Sequence, residues 1–210
     1  MENQKSKINA QILQFMGWEN IPERYLKAKS SDLITHDTEL FKKFSDAFIA
    51  YSSGKNIILL GGVGRGKSFF SYELAYFTKC EALELRGVAD YPILCYRASQ
   101  IISTYKANFS NAEIIDSKIL RYHSYKNSNM PICVKSVIID EVDDVAQNDY
   151  AILNEIIITC YERMIPLILI GNKFANTFFE NFNDKAISRL NENSLIIQTK
   201  GDDLRGGLIC

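Results

Sequence analysis

The sequence predicts an α/β fold in which a largely parallel sheet carries helices on both faces. Apolar runs of strand length alternate with amphipathic stretches of helix length along the 210 residues, as expected for parallel strands joined by crossover helices. Hydrophobic residues make up 47% of the chain, which is enough to bury a sizeable core. One glycine-rich turn, residues 61–68, leads directly from an apolar run into a helical stretch.

The first predicted elements are a helix, a strand and a second helix. The helix over residues 38–53 places its apolar side chains on one face and ends before Gly54, a residue that commonly terminates helices. The strand over residues 56–60 is almost entirely apolar. The second helix begins near Ser68 and is so apolar that we expect it to lie buried against the sheet.

The middle of the chain predicts a strand, a helix and a further strand. Pro92 opens the strand over residues 93–96, and the helix over residues 99–107 follows. The polar stretch 108–131 has weak periodicity and predicts a helix with a loop. The next strand covers residues 134–139.

The last third predicts two more strands, each after a helix. The helix over residues 150–163 turns a broad apolar face inward, and the strand over residues 166–170 follows it. A short helix over residues 184–190 precedes the final strand, residues 195–198. Five strands in all are therefore expected.

The composition excludes several classes of protein. The net charge of −1 gives no overall electrostatic argument for a nucleic-acid partner, although a local basic groove would be compatible with it. The odd number of scattered cysteines lacks the spacing of metal ligands and fits free thiols in a reducing compartment. The polar N-terminus and the lack of a long apolar run predict a cytoplasmic protein without a membrane partner.

The turn over residues 61–68 carries the most specific motif. It reads Gly-Gly-Val-Gly-Arg-Gly-Lys-Ser and matches the phosphate-binding P-loop pattern at every fixed position. Glycines let backbone N–H groups point at phosphate oxygens, and the following helix adds the partial positive charge of its N-terminus. The residues predicted to bind ATP or ADP are Gly62, Val63, Gly64, Arg65, Gly66, Lys67, Ser68 and Phe69.

A second motif supplies the acidic residues that such a loop requires. Asp140 and Glu141 follow a buried strand, so they are expected at the sheet edge where ligands bind in open α/β folds. Ser68 and Asp140 are the candidate ligands of Mg2+, and Glu141 is the candidate base for an attacking water. The alternative is that the acidic pair merely ends a strand at the surface.

Two further residues are candidates for catalysis. Asn172 ends the fourth strand, where its carboxamide can hydrogen-bond a γ-phosphate or a water molecule, or can simply form a turn. Arg189 can stabilise the transition-state charge at the site of a neighbouring subunit, or can be a solvated surface residue.

Taken together, these motifs resemble bacterial helicase loaders of the DnaC type and the IstB-like transposition ATPases, both of the AAA+ class. The resemblance runs from about residue 20 to residue 205 and includes a specific opening element, Ile-Pro-Glu-Arg-Tyr at residues 21–25. The corresponding segments are Walker A at residues 61–68, Walker B at 137–141, sensor 1 at 168–172, the arginine-finger segment at 186–190, and a closing strand and arginine-bearing tail at 193–205.

The resemblance implies a P-loop NTPase of AAA+ type. This is a three-layer sandwich with a central parallel five-stranded sheet and no helical lid domain. Residues 21–210 would form the ATPase domain after a short leader, residues 1–20, that can hold a partner-binding helix. Asn172 would be sensor 1, Arg189 the arginine finger of a homo-oligomer with shared ATP sites, and Arg205 a further nucleotide-binding residue.

The resemblance also implies a function. ATP hydrolysis, dependent on Mg2+, would control the loading of a replicative helicase onto single-stranded DNA. The alternatives are an IstB-like transposition helper ATPase and a nucleotide-switched interaction module with little turnover. The sequence departs from the family at two points. Gly171 stands where many relatives have serine or threonine before the sensor asparagine, and the leader is shorter than the helicase-binding domain of the family, which bears on the partner.

Two segments are candidates for contact with DNA. Tyr105, Lys106 and Phe109 offer aromatic stacking and one cation, as in single-strand binders, or Tyr105 and Phe109 pack within the fold. A basic, aromatic stretch can follow a phosphate backbone or can be a solvated loop, and its residues are Lys118, Arg121, Tyr122, His123, Tyr125 and Lys126.

Overall fold

The computed structural model describes residues 38–74, 93–107 and 136–201. Its strands are β1 (Asn56–Gly61), β2 (Ile93–Arg97), β3 (Ser136–Asp140), β4 (Leu167–Ile170) and β5 (Ser194–Thr199). Its helices are α1 (Thr38–Ser52), α2 (described over residues 67–74), α3 (Ala98–Lys106), α4 (Tyr150–Glu162), α5 (Ala175–Phe178) and α6 (Asp184–Glu192), with 3-10 turns at Gln147–Asp149 and Phe179–Asn181. The predicted leader, Phe109, the basic stretch of residues 118–126 and Arg205 lie outside the described residues.

The five strands form one parallel sheet in the order β2-β3-β4-β1-β5. The prediction of an α/β fold with a parallel five-stranded sheet is therefore confirmed. Because β4 pairs with both β1 and β3, the ends of these three strands lie side by side.

The handedness of the connections explains which helix covers which face. From β1 the chain crosses to β2, which is an outer strand of the sheet. It then returns through β3 and β4 and passes over β1 to β5. Since such crossovers are right-handed, a reversal of direction puts the connecting helix on the opposite face. Accordingly α2 shares one apolar cluster with α1, whereas α3, α4, α5 and α6 contribute to the cluster on the other face.

Alternating strand residues fill the two clusters. On the α1 face, Ile57 and Ile168 pack with Phe44 and Phe70, whose rings stack 4.2 Å apart. On the other face, Ile58 and its neighbours pack against α3, α4 and α6. Both faces of the sheet are thus buried, which accounts for strands that are apolar without alternation.

The predicted boundaries agree with the structure to within two residues wherever the element is fully described. The prediction omitted α5 and the 3-10 turn after it, although Phe178 of α5 and Phe182, directly after the turn, are buried. A helix of four residues is too short to show a hydrophobic period, so this segment carries no helical pattern. In the described residues, no helix has the length and apolar character needed to cross a membrane.

Candidate nucleotide-binding site

The candidate residues gather at the edge of the sheet where the strands end. The glycine-rich loop follows β1, Asp140 is the last residue of β3, and Asn172 comes two residues after β4. Because β4 lies between β1 and β3, Asn172 is positioned between the loop and Asp140. The strand order thus brings together side chains that are far apart in the sequence.

Lys67 is a buried charge at this edge, with only 5% of its surface exposed. Its Nζ atom donates to the carbonyl oxygens of Gly61 and Gly62 at 2.7 Å each and to Oδ1 of Asn172 at 3.2 Å. An ammonium group has three hydrogens, and these three oxygens match them. The ammonium is therefore held at the mouth of the loop, where phosphate oxygens can replace the present acceptors.

The loop owes its shape to glycines. Gly64 and Gly66 have φ angles of 77° and 74°, a left-handed conformation that strongly favours glycine. The first hydrogen bond of α2 runs from the Phe70 N–H to the Gly66 oxygen at 2.8 Å, so the preceding N–H groups have no partner within the helix. These groups can receive an anion.

The other loop residues differ in what they offer. Gly62 and Val63 are exposed, whereas Arg65 is buried with its guanidinium next to Gly201, beyond β5. The Phe69 side chain packs into the core on the α1 face, which leaves its backbone as the only part able to face a ligand. Next to the loop lies an open cleft of about 650 Å³, lined by Gly62, residues 174–176 and residues 198–201.

Ser68 and Asp140 meet across the sheet edge. The Ser68 hydroxyl lies close enough to the Asp140 carboxylate to lower its pKa, and Oδ1 of Asp140 accepts from the Glu141 N–H at 2.8 Å. Burial raises the pKa of Asp140, and the Ser68 hydroxyl, the Glu141 N–H, Lys67 and Arg97 oppose this effect. A hydroxyl and a carboxylate side by side are the oxygen ligands that Mg2+ prefers, so the pair fits the predicted metal.

Glu141 has an unusual backbone. Its φ of 58° lies in the left-handed region, which non-glycine residues rarely adopt and which directs its side chain away from the line of β3. The carboxylate, with 41% of its side chain exposed, lies 3.7 Å from Nε of Arg97. Arg97 pairs with Asp140 in the sheet register and was not predicted as a site residue, although its place at a strand end was a signal.

Asp143 was also missing from the sequence prediction. Its Oδ2 atom accepts hydrogen bonds from the backbone N–H groups of Asn172 at 2.6 Å and Lys173 at 2.5 Å. The signal in the sequence was the second acidic pair, residues 143–144, that directly follows Asp140, Glu141 and Val142.

Arg189 lies apart from the other candidates. It belongs to the last turn of α6, just before β5 begins, and its guanidinium lies 4.5 Å from the ring centre of Tyr161 near the end of α4. Its Nη1 is 3.9 Å from Oε2 of Glu192, which also accepts a 2.7 Å hydrogen bond from the Tyr161 hydroxyl. This hydrogen bond is the main cause of a raised pKa of Tyr161. Both helices end where strands begin, so Arg189 lies at the sheet edge opposite to Lys67.

The candidate DNA-binding residues of α3 are engaged within the fold. Tyr105 is half-buried against the core, and Nζ of Lys106 forms a 2.6 Å ion pair with Oδ1 of Asp149. For Tyr105 the packing interpretation is favoured.

Comparison with known proteins identifies the fold. No protein-family model and no curated protein sequence matches the chain. Among solved structures, domain III of the replication initiation protein DnaA from Thermotoga maritima has a TM-score of 0.60 and 13% identity, over 86% of this chain and 69% of that chain. The structure of DnaI has a TM-score of 0.60 and 15% identity, over 88% and 94% of the two chains.

A longer DnaA structure gives the same result. The replication initiator DnaA bound to AMPPCP and single-stranded DNA has a TM-score of 0.51 and 16% identity; the match covers 77% of this chain but 46% of that one. The chain therefore spans less than half of the length of that relative. The shared fold is the α/β fold with a parallel five-stranded sheet flanked by helices that the sequence predicted.

Proposed function

We propose that this chain is a Mg2+-dependent ATPase that uses the state of its nucleotide to control a partner in DNA replication. The observation that carries the proposal is the gathering of Lys67, Asn172, Ser68 and Asp140 at one edge of the sheet. Lys67 contacts Asn172, and Ser68 contacts Asp140, in the positions that a phosphate chain and its cation require. No other part of the described chain brings a glycine loop together with a buried cation and a buried acid.

In the proposed reaction the loop binds the phosphates and Lys67 turns from the loop carbonyls to the β- and γ-phosphate oxygens. Asn172, released from Lys67, donates through its carboxamide to the γ-phosphate or to the attacking water. Glu141 accepts the proton of that water, after its carboxylate has separated from Arg97. The adjacent cleft gives room for the rest of the nucleotide.

The residues that would hold Mg2+ are Ser68 and Asp140. When bound, the cation neutralises charge on the phosphate oxygens. Asp140 must be ionised to act as its ligand, directly or through water, although burial favours the protonated acid. Cation and nucleotide are therefore expected to bind together, since each one offsets a charge that the other brings.

Arg189 supports a site shared between subunits. It lies at the sheet edge opposite to Lys67, so it can reach the phosphates of a second copy but not those of its own chain. A guanidinium that meets the γ-phosphate can stabilise the charge of the transition state. The proposed oligomer would pair the edge bearing Arg189 on one copy with the phosphate loop of the next.

Helicase loading is the finer form of the proposal. It is supported by the motif resemblance and by a fold shared with DnaI and with a DnaA that was solved with AMPPCP and single-stranded DNA. The client would be a replicative helicase, loaded onto single-stranded DNA. If the chain instead co-purifies from its host with a transposase, or changes transposition and not helicase recruitment, the IstB-like alternative replaces this part.

The test of the chemistry is the variant Glu141→Gln. The carboxamide cannot accept the proton of a water molecule, so we expect kcat to fall by roughly 100-fold or more while ATP affinity is kept. Hydrolysis is measured by phosphate release and affinity by titration, with single-stranded DNA and with partner added. The matched control is Glu155→Gln, at an exposed position of α4, which should behave as wild type.

The same assay can also contradict the proposal that the chain is an enzyme. Equal, residual hydrolysis in wild type and Glu141→Gln, under all conditions, would show that the chain is a nucleotide-switched module with little turnover.

A further inference from the structure

Asp143 connects the two loops that carry the candidate catalytic residues. It follows β3 by three residues, and its Oδ2 accepts from the N–H groups of Asn172 and Lys173, which follow β4. A second connection runs beside it, from the Val142 N–H to the Ile170 oxygen at 3.0 Å. The loop with Asp140 and Glu141 is thus bonded to the loop with Asn172.

The bonds of Asp143 are of the kind that fix a backbone. Hydrogen bonds from N–H groups to an ionised carboxylate are short and about twice as strong as neutral ones. Here two consecutive N–H groups converge on one oxygen, and this restricts both the position and the rotation of the Asn172 backbone. The Asn172 side chain, in turn, meets Lys67 at 3.2 Å.

We propose that Asp143 is a positioning residue that holds Asn172 in register with Asp140 and Glu141. This inference rests on the proposed ATPase function and adds a residue to its machinery. Asp143 touches no reacting atom; it acts through the Asn172 backbone, so that the groups around the γ-phosphate and those around the attacking water keep a fixed spacing. A displacement of about 1 Å in such a site can lower the rate by roughly 100-fold.

The fold should tolerate the loss of Asp143. The hydrogen bond to the Asn172 N–H lies in an exposed environment, where water can replace the carboxylate, whereas the bond to the Lys173 N–H is partly buried. Asp144, the next residue, provides a matched control because its side chain is exposed and it carries the same charge at nearly the same place. A general electrostatic effect would appear in both variants, whereas a positioning effect would appear in one.

The experiment compares Asp143→Ala, Asp143→Asn and Asp144→Ala with wild type. For Asp143→Ala we expect a fall in kcat of about 10- to 100-fold with ATP affinity and Tm nearly unchanged. Asp143→Asn keeps an acceptor of the same shape and should lie between this variant and wild type. Asp144→Ala should match wild type.

A double-mutant cycle tests whether the effect passes through Asn172. If it does, Asp143→Ala causes no further loss in an Asn172→Ala background. Amide hydrogen exchange gives a readout that is independent of activity, since the N–H groups of Asn172 and Lys173 should exchange faster in both Asp143 variants. If Asp143→Ala does not fold, Asp143→Asn carries the same comparison.

Two results would overturn the inference. One is an unchanged kcat in the Asp143 variants with unchanged exchange at Asn172 and Lys173. The other is a full additional loss when Asp143→Ala is combined with Asn172→Ala. An inactive wild type would instead reject the proposed function, and the exchange measurement would still decide whether Asp143 fixes the loop.

Discussion

The sheet holds charged side chains differently at the edge where its strands end, near Lys67, and at the edge where they begin, near Arg189. At the edge with the phosphate loop, Lys67 is 5% exposed and Asp140 is desolvated enough to raise its pKa. At the opposite edge, the Arg189 side chain is 35% exposed and the Glu192 side chain is 57% exposed. A buried charge that loses its partners is strongly destabilising, whereas an exposed ion pair contributes little.

This difference indicates complementary roles. The first edge is preorganised, since its cation and acids are held by the fold before a ligand arrives. At the second edge, contacts with Tyr161 and Glu192 hold one arginine near the surface, and their loss would change stability only slightly. An arginine held in this way can be transferred to a partner's phosphate at small cost. Lys67 is buried, so it can exchange its three neutral acceptors only for a ligand that offers acceptors of at least equal strength.

The largest expected effect comes from removing the cation of the first edge. In Lys67→Ala the loop loses the charge that faces the β- and γ-phosphates, so we expect nucleotide binding to be lost, with an affinity decrease of about 100-fold or more. Titration with a fluorescent ATP analogue measures it, and circular dichroism checks the fold. Lys55→Ala, exposed at the other end of β1, is the control. Undiminished affinity in Lys67→Ala would mean that the phosphates bind elsewhere.

Removal of Arg189, the cation of the second edge, should leave ATP binding unchanged and abolish ATP hydrolysis. For Arg189→Ala we expect ATP affinity like wild type and a fall in kcat of about 10³-fold, the size reported for arginines supplied in trans. Mixing Arg189→Ala with Glu141→Gln should restore part of the activity, because the second variant can donate the arginine that the first lacks.

The control for this mixture is Lys185→Ala, an exposed cation on the same helix, which should keep full activity alone. If the mixture stays as inactive as its components, the two edges do not meet in an assembly and Arg189 is a surface residue held by Tyr161 and Glu192.

The smallest expected effect concerns the stability of the nucleotide-free protein. Burial raises the folded-state pKa of Asp140 above its value of 3.8 in the unfolded chain. The folded state therefore holds this proton more tightly, and the resulting stabilisation is present below the unfolded pKa and lost as the pH rises through the folded pKa. At neutral pH, Asp140→Asn should thus raise Tm by roughly a few degrees.

The same variant should lose the stabilisation that wild type gains from MgATP. Thermal melts at pH 4 to 8, with and without MgATP, measure both effects, and Asp46→Asn on the exposed side of α1 is the control. A lower Tm for Asp140→Asn at neutral pH would show that the charge of Asp140 is compensated in the free protein.

The sequence predicted the strands and long helices because their signals are local. Each buried strand is a short apolar run, and each helix such as α4 turns an apolar face inward. The loop motif also fixed Lys67 and Ser68 by spacing alone. Their roles, and that of Asp140, remain predictions until nucleotide binding is measured.

What the sequence did not show depends on strand order. Arg97 and Asp143 belong to the site only because β2 lies beside β3, and β3 beside β4, and spacing along the chain does not encode these neighbours. The position of Arg189 likewise follows from the direction in which α6 runs. Short α5 was missed for a different reason, since four residues contain too little periodicity.

Gly61 makes the shape of the phosphate loop depend on β5. A Cβ atom at this position would collide with the backbone oxygen of Thr199, while the Thr199 hydroxyl donates to the Leu60 oxygen at 2.9 Å. The wall against which the loop is shaped is thus β5, which is synthesised last of the five strands. Pairing between β1 and β5 forms slowly, because these strands are far apart in the sequence. A nascent chain that ends after β4 therefore carries the complete loop sequence without the strand that packs against Gly61.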